Sequence, residues 1–235
     1  MSAEQDLRAL KTIALFAGLP DTAIRDVYTS ARMEKRSEGE YFFFQGDPAS
    51  AVYVLAAGRV KLLQLTTDGQ QVILRMAVEW TPIGLVGTVS NATYPVTAEA
   101  VEDCRALCWS HDVLQNLMQK YPTIAQNAMQ AMAFHVQEFQ DRFREMATER
   151  VERRLARALL RLASQLGKKT EEGVEIAMPV SRQELAEMSG TTLFTVSRIL
   201  SEWERQGLIR AGRERVVIVH PHGLVRIAED LPPRS

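Results

Sequence analysis

The chain has 235 residues, 46% hydrophobic and 24% charged, which suits a soluble protein of about two domains and argues against disorder. No apolar run reaches the roughly 18 residues that span a membrane. MSAEQDLRALK at the start lacks the basic head and apolar core of a secretory signal, so a cytoplasmic protein is expected. The net charge of −1 hides an asymmetry: residues 151–235 hold 14 Lys and Arg against 11 Asp and Glu, a net of +3, while residues 1–150 hold 14 against 18, a net of −4. That tilt favours a polyanion partner for the C-terminal part.

Residues 1–33 read as helical, with Leu7, Leu10, Ile13 and Phe16 on one face before Gly18-Leu19-Pro20 breaks the pattern. Across residues 34–110 the pattern changes to short apolar or alternating runs: Tyr41–Phe44, Ala51–Leu55, Val60–Leu65 and Val72–Met76. Gly39, Gly46-Asp47-Pro48, Gly58 and Asp68-Gly69 punctuate them, the last a strong hairpin signal. Regular turns between short strands predict an antiparallel barrel or roll. Cys104 and Cys108 are too few for a disulfide framework or a four-thiolate metal site. In a strand they would share a face without pairing easily. Small buried thiols are expected, with redox sensing or metal binding as the alternative.

Ser110 is positioned to cap a helix opening at His111, and a longer helix follows Tyr121-Pro122. Its apolar residues are Ala125, Met129, Met132, Val136, Phe139, Phe143 and Met146, spaced 4, 3, 4, 3, 4, 3. That is a heptad seam, flanked by Gln, Glu, Asp and Arg, and it predicts pairing with a second copy of the chain. Packing inside its own domain is the alternative. Residues 148–170 read as an amphipathic helix and residues 171–180 as a strand.

Residues 181–209, SRQELAEMSGTTLFTVSRILSEWERQGLI, read as a helix-turn-helix. Ser181 with Glu184 three residues on is a capping box. Gly190 is suited to end that helix, and Thr191 or Thr192 to cap the next. Val196, Ile199, Leu200 and Trp203 fall inward at helical spacing, leaving Thr195, Ser197 and Arg198 outward. Short polar groups and one arginine at a helix start suit the DNA major groove. Residues 210–219 then read as a β-hairpin wing with arginines, including Arg213, for phosphates. The chain divides accordingly into N-terminal helices and a β-roll over 1–110, a connecting and dimerisation helix over 111–147, and a winged helix-turn-helix over 148–235. The fold class is α+β.

This order, with EGEYFFFQGDPASAVYVLAAGRVKL in the roll and SRQELAEMSGTTLFTVSRIL in the C-terminal part, resembles the CRP/FNR family of bacterial transcription regulators over nearly the whole chain. The resemblance implies an N-terminal antiparallel β-roll of the cupin-like, cyclic-nucleotide-binding type. It further implies a homodimer on a palindromic double-stranded DNA operator, in contact with RNA polymerase and away from membranes. Cyclic-AMP-binding members carry Gly-Glu-Leu, whose glutamate takes the ribose, and a later Arg-Ser or Arg-Thr, whose arginine takes the phosphate. Here these positions read Gly84-Leu85-Val86 and Tyr94-Pro95-Val96. An anion buried without a cation is costly, so cyclic AMP is not expected to bind. Leu85, Val86, Tyr94 and Pro95 mark the candidate effector pocket.

Iron–sulfur members need thiolates, most of them near the N-terminus. No cysteine precedes Cys104, so no such cluster is expected. The apolar roll leaves haem open, and a haem-dependent sensor of nitric oxide or carbon monoxide is one alternative. The four histidines, His111, His135, His220 and His222, nonetheless read as ordinary exposed or hydrogen-bonded residues. A ligand-binding module of a kinase or channel is the other alternative, but it would need a phosphate-binding arginine and no wing. No catalytic triad, metal motif or phosphate loop is visible, so no enzyme is expected.

Many family members read DNA through Glu-x-x-Ser-Arg or Glu-x-x-Gly-Arg. The matching residues here are Phe194, Ser197 and Arg198. By resemblance Arg198 contacts a guanine. Phe194, beside Leu193, cannot accept a hydrogen bond from cytosine and is left with apolar contact, for example a thymine methyl. Arg182, Gln183 and Thr192 are the expected phosphate contacts.

Overall fold

A computed structural model describes residues 3–66, 71–89, 92–212 and 214–231. The Asp68-Gly69 hairpin signal and Arg213 lie outside the described residues. The chain forms two compact units that meet in sequence between Phe139 and Gln140.

The first unit opens with helix α1 (Ala3–Leu10), a 3₁₀ turn (Ala14–Phe16) and helix α2 (Asp21–Thr29). The expected break at Gly18-Leu19-Pro20 is found, just before α2, but the helical face is also interrupted earlier, at Lys11-Thr12. The Thr12 hydroxyl donates to the Ala9 carbonyl at 2.7 Å, a local bond that competes with the helical ladder. Leu10, Ile13 and Phe16 are all buried nonetheless.

Strand β1 (Arg32–Arg36) follows, then β2 (Tyr41–Phe43), β3 (Ala51–Ala57), β4 (Val60–Leu65), β5 (Gln71–Ala77), β6 (Pro82–Ile83), a short helix α3 (Leu85–Val89), β7 (Thr97–Ala100) and β8 (Cys104–Ser110). They form two antiparallel four-stranded sheets, ordered β1-β8-β3-β6 and β2-β7-β4-β5. The expected α+β class and antiparallel roll are found. Strand β3 shows how the roll is covered on both sides. Ala51, Tyr53 and Leu55 join the roll core, whereas Val52 and Val54 turn to the helices, the period-two alternation of a strand between two layers. On the helical side Trp109 donates its indole N–H to the Val27 carbonyl at 2.8 Å and packs with Phe16.

Ser110 caps helix α4 (His111–Lys120) by accepting from the Val113 N–H. At the other end, Asp26 of α2 receives Lys120 Nζ and the Tyr121 hydroxyl, each at 2.5 Å. Those donors hold the Asp26 carboxyl below the usual carboxylate range, despite the opposing effect of burial. Helix α5 (Pro122–Thr148) then runs 27 residues. Ile124 and Ala128 are buried in the helical core, while Met129, Val136, Phe139, Phe143 and Met146 are exposed, with Ala125 and Met132 half-buried.

The second unit comprises helix α6 (Val151–Leu166), strands β9 (Gly167–Thr170) and β10 (Gly173–Ile176), helices α7 (Arg182–Ser189) and α8 (Leu193–Arg205), strands β11 (Ile209–Gly212) and β12 (Arg215–Ile218), and helix α9 (Pro221–Glu229). Its sheet is ordered β11-β12-β10-β9. One expectation is corrected. The helix expected to reach residue 170 ends at Leu166, because Gly167 is extended and Gly167–Thr170 pair with β10. Beyond the second strand pair His220 precedes and Pro221 starts α9, which packs on α6 and buries Leu224 and Ala228.

Candidate nucleic-acid interface

The helix-turn-helix is built from local signals. The Ser181 hydroxyl accepts the Glu184 N–H at 3.1 Å while the Glu184 carboxylate accepts the Ser181 N–H at 2.8 Å. Two of the orphan donors at the start of α7 are thereby satisfied. Gly190 ends α7 in the left-handed region, at φ 60°, where a side chain is disfavoured. Of the two candidate caps, Thr192 is the one used: it accepts the Thr195 N–H at 3.3 Å. Val196, Ile199, Leu200 and Trp203 are buried and fix the rotation of α8.

That rotation presents a defined outer face. Phe194 is 76% and Leu193 48% exposed. Arg198 and Thr192 are exposed too, and Thr195 and Ser197 are half-buried. Arg182 and Gln183 lie exposed on the first turn of α7, Gln183 donating to Glu187. Among the described residues Arg182 and Arg198 make no ion pair. The other cations nearby are compensated. Arg205 pairs with Glu202, Arg210 with Glu172 at 2.6 Å, and Arg215 with Glu175 at 2.6 Å. The hydrogen bond from Arg215 holds the Glu175 carboxyl below the usual carboxylate range, against the opposing effect of burial. The uncompensated charge on this face therefore comes from the two helices rather than from the described part of the wing.

Two residues with no signal of this role in the sequence hold the turn in place. Arg154 of α6 donates to the carbonyls of Ser189 at 2.9 Å, Gly190 at 3.2 Å and Glu149 at 2.7 Å. The turn between α7 and α8 is thereby tied to the residue that follows α5. The Met146 side chain lies directly over Gly190, so close that a Cβ there would collide with its sulfur and terminal methyl. Around them Glu145 is buried and receives Arg161 at 3.1 Å, and Glu149 receives Arg157 at 3.2 Å. Burial would depress the Arg157 guanidinium, but Glu149, Glu229 and Glu145 outweigh it and hold its pKa above the ordinary value.

In the roll, Tyr94 is buried and stacks on Phe43 at 3.9 Å. Its hydroxyl donates to the Ala51 carbonyl at 2.7 Å and accepts the Ala51 N–H at 2.9 Å. Leu85 is buried on the helical side with Trp109. Val86 and Pro95 are exposed, the Pro95 carbonyl accepting from Gln64. Of these four residues only Tyr94 joins the roll core. The His111 ring meets the Thr88 carbonyl at 2.8 Å, and His135 lies 3.4 Å from Glu138. No cluster of three or more metal-ligating side chains occurs among the described residues.

Two family models match the chain: a cyclic nucleotide-binding domain over residues 33–121 and a Crp-like helix-turn-helix domain over residues 153–227. The second falls on the interface just described. The chain belongs to the CRP/FNR family of transcription regulators. Among curated relatives of this CRP/FNR member, the transcriptional activator protein anr of Pseudomonas aeruginosa is 26% identical over 81% of this chain and 78% of its own. The cyclic AMP receptor protein of Thermus thermophilus is 27% identical over 86% of this chain and 91% of its own. The structure of FixK2 from Bradyrhizobium japonicum shares the fold, with a TM-score of 0.74 at 23% identity, covering 87% of this chain and 98% of that one. A wing hairpin and a Crp-like helix-turn-helix displace the reading as a module of a kinase or channel. The protein is thus a DNA-binding transcription regulator of the CRP/FNR type, and no helix among the described residues is long and apolar enough to cross a membrane.

Proposed function

We propose that two copies of the chain pair along the α5 seam and present their α8 helices to successive major grooves of a palindromic operator. The observation that carries this reading is the outer face of α8. Leu193, Phe194 and Arg198 stand exposed there while a separate set of residues serves the packing. Arg198 contacts a guanine edge, with Thr195 and Ser197 beside it. Arg182, Gln183, Thr192 and the wing residue Arg213 take phosphates, which position the helix without reading sequence. The seam supports the dimer because Phe139 and Phe143 are 70% and 68% exposed in the single chain, and an exposed apolar stripe of this kind needs a cover. On DNA this cytoplasmic regulator meets RNA polymerase, as the family resemblance implies. Its signal is sensed in the roll and is other than cyclic AMP, since Tyr94-Pro95-Val96 offers a cyclic phosphate no cation.

Selection of binding sites from random duplex DNA tests this. Two inverted half-sites about 10–10.5 base pairs apart, or a multiple of that spacing, are expected. Arg198→Ala should weaken binding by about 1–3 kcal/mol and relax preference at one base pair of each half-site. Recovery of a single unrepeated site, or of no site, would count against the reading.

A further inference from the structure

We propose that Leu193 and Phe194 form an apolar reading head for the 5-methyl group of a pyrimidine in the operator half-site. This rests on α8 being the recognition helix and names what its first turn recognises.

Three observations carry it. First, the two side chains open α8, directly after the Thr192 cap, where helices of this motif meet base edges. Second, both side chains face outward: Phe194 is 76% and Leu193 48% exposed while Val196, Ile199, Leu200 and Trp203 supply the inward packing. Third, the polar alternatives around them are few. From Thr191 to Ser201 there is no Asp or Glu, and Arg198 is the sole charged residue. The Thr192 and Thr195 hydroxyls lie 3.0 Å apart and serve the helix cap. A cytosine amino group would meet no carboxylate here. The apolar feature of the major groove is the C5-methyl of thymine, and a phenyl ring is a suitable partner for it. 5-Methylcytosine carries the same methyl group and should be accepted in the same way.

The test uses the full-length protein and its selected operator, with affinity read by fluorescence anisotropy. Each thymine of a half-site is replaced in turn by deoxyuridine, which removes the methyl and leaves base pairing intact. At one or two positions affinity should fall about three- to tenfold, the scale of one buried methyl or two. In Phe194→Ala the ratio between thymine and uracil operators should fall toward one; an unchanged melting temperature would show that this exposed substitution leaves the fold intact. Cytosine at the sensitive position should bind weakly and gain affinity when 5-methylated. Equal binding of thymine and uracil operators at every position, or a cytosine indifferent to 5-methylation, would overturn methyl recognition while leaving the DNA-binding reading in place. Absence of any preferred operator would instead remove both.

Discussion

Cys104 and Cys108 stand four residues apart on β8, and both are buried in the roll core. Burial is the main cause that pushes the Cys104 thiol up to about 11 and Cys108 up to about 12; neighbouring Glu34 adds to the effect at Cys108. Thiolates are the reactive form, so both should resist iodoacetamide at pH 8 in the folded protein and label rapidly once urea unfolds it. Fast labelling of the native protein would contradict this. The same shifts set an alkaline limit. Above pH 9 the unfolded chain loses thiol protons that the folded chain retains. Stability that is complete below about pH 9 should then decline as the pH climbs toward 11–12, and denaturant midpoints measured with and without Cys108→Ala would show the contribution of that thiol.

At the scale of single elements, the helix-turn-helix was legible because its signals are local: a capping box, a left-handed glycine, a threonine cap and four apolar residues at helical spacing. The long helix was legible for a similar reason, since its seam repeats. Other elements lack such marks. Strand β1, Arg32–Arg36, reads RMEKR and exists because it pairs with β8 along its length. Strand β9 is GKKT, held by β10, and α9 is stabilised by docking on α6. The break after α1 carries no glycine or proline. Tertiary partners decided the three elements, whereas the break follows the local bond from the Thr12 hydroxyl to the Ala9 carbonyl. The contact of Met146 with Gly190 was equally hidden, and it is testable. Gly190→Ala should cost about 1–2 kcal/mol for the left-handed backbone alone, plus the collision with Met146. It should lower the melting temperature and weaken operator binding. Adding Met146→Ala should restore the collision component only. A Gly190→Ala protein as stable as the parent would refute this account of the turn.

For the molecule as a whole, the question is how the α5 seam is used. Met129, Val136, Phe139 and Phe143 are exposed in one chain, although they follow the heptad spacing of a paired helix. A charge placed mid-seam, Val136→Glu or Phe139→Glu, should leave helix content by circular dichroism unchanged and yield a monomer by light scattering. Operator affinity should drop on the order of a hundredfold, because two linked reading units bind far better than one. A charged variant that remains dimeric would exclude the seam as the interface.

The division of labour on α8 has a consequence for how such a regulator changes over generations. Its inner residues are constrained by packing, whereas Leu193, Phe194 and Arg198 stand exposed on the outer face. Substitutions at these outer positions can therefore accumulate nearly free of a folding penalty, since surface changes usually shift stability by no more than about 0.5 kcal/mol. Binding preference can drift in small steps while the scaffold is inherited intact. A duplicated gene could acquire a separate set of promoters by changing one helical turn.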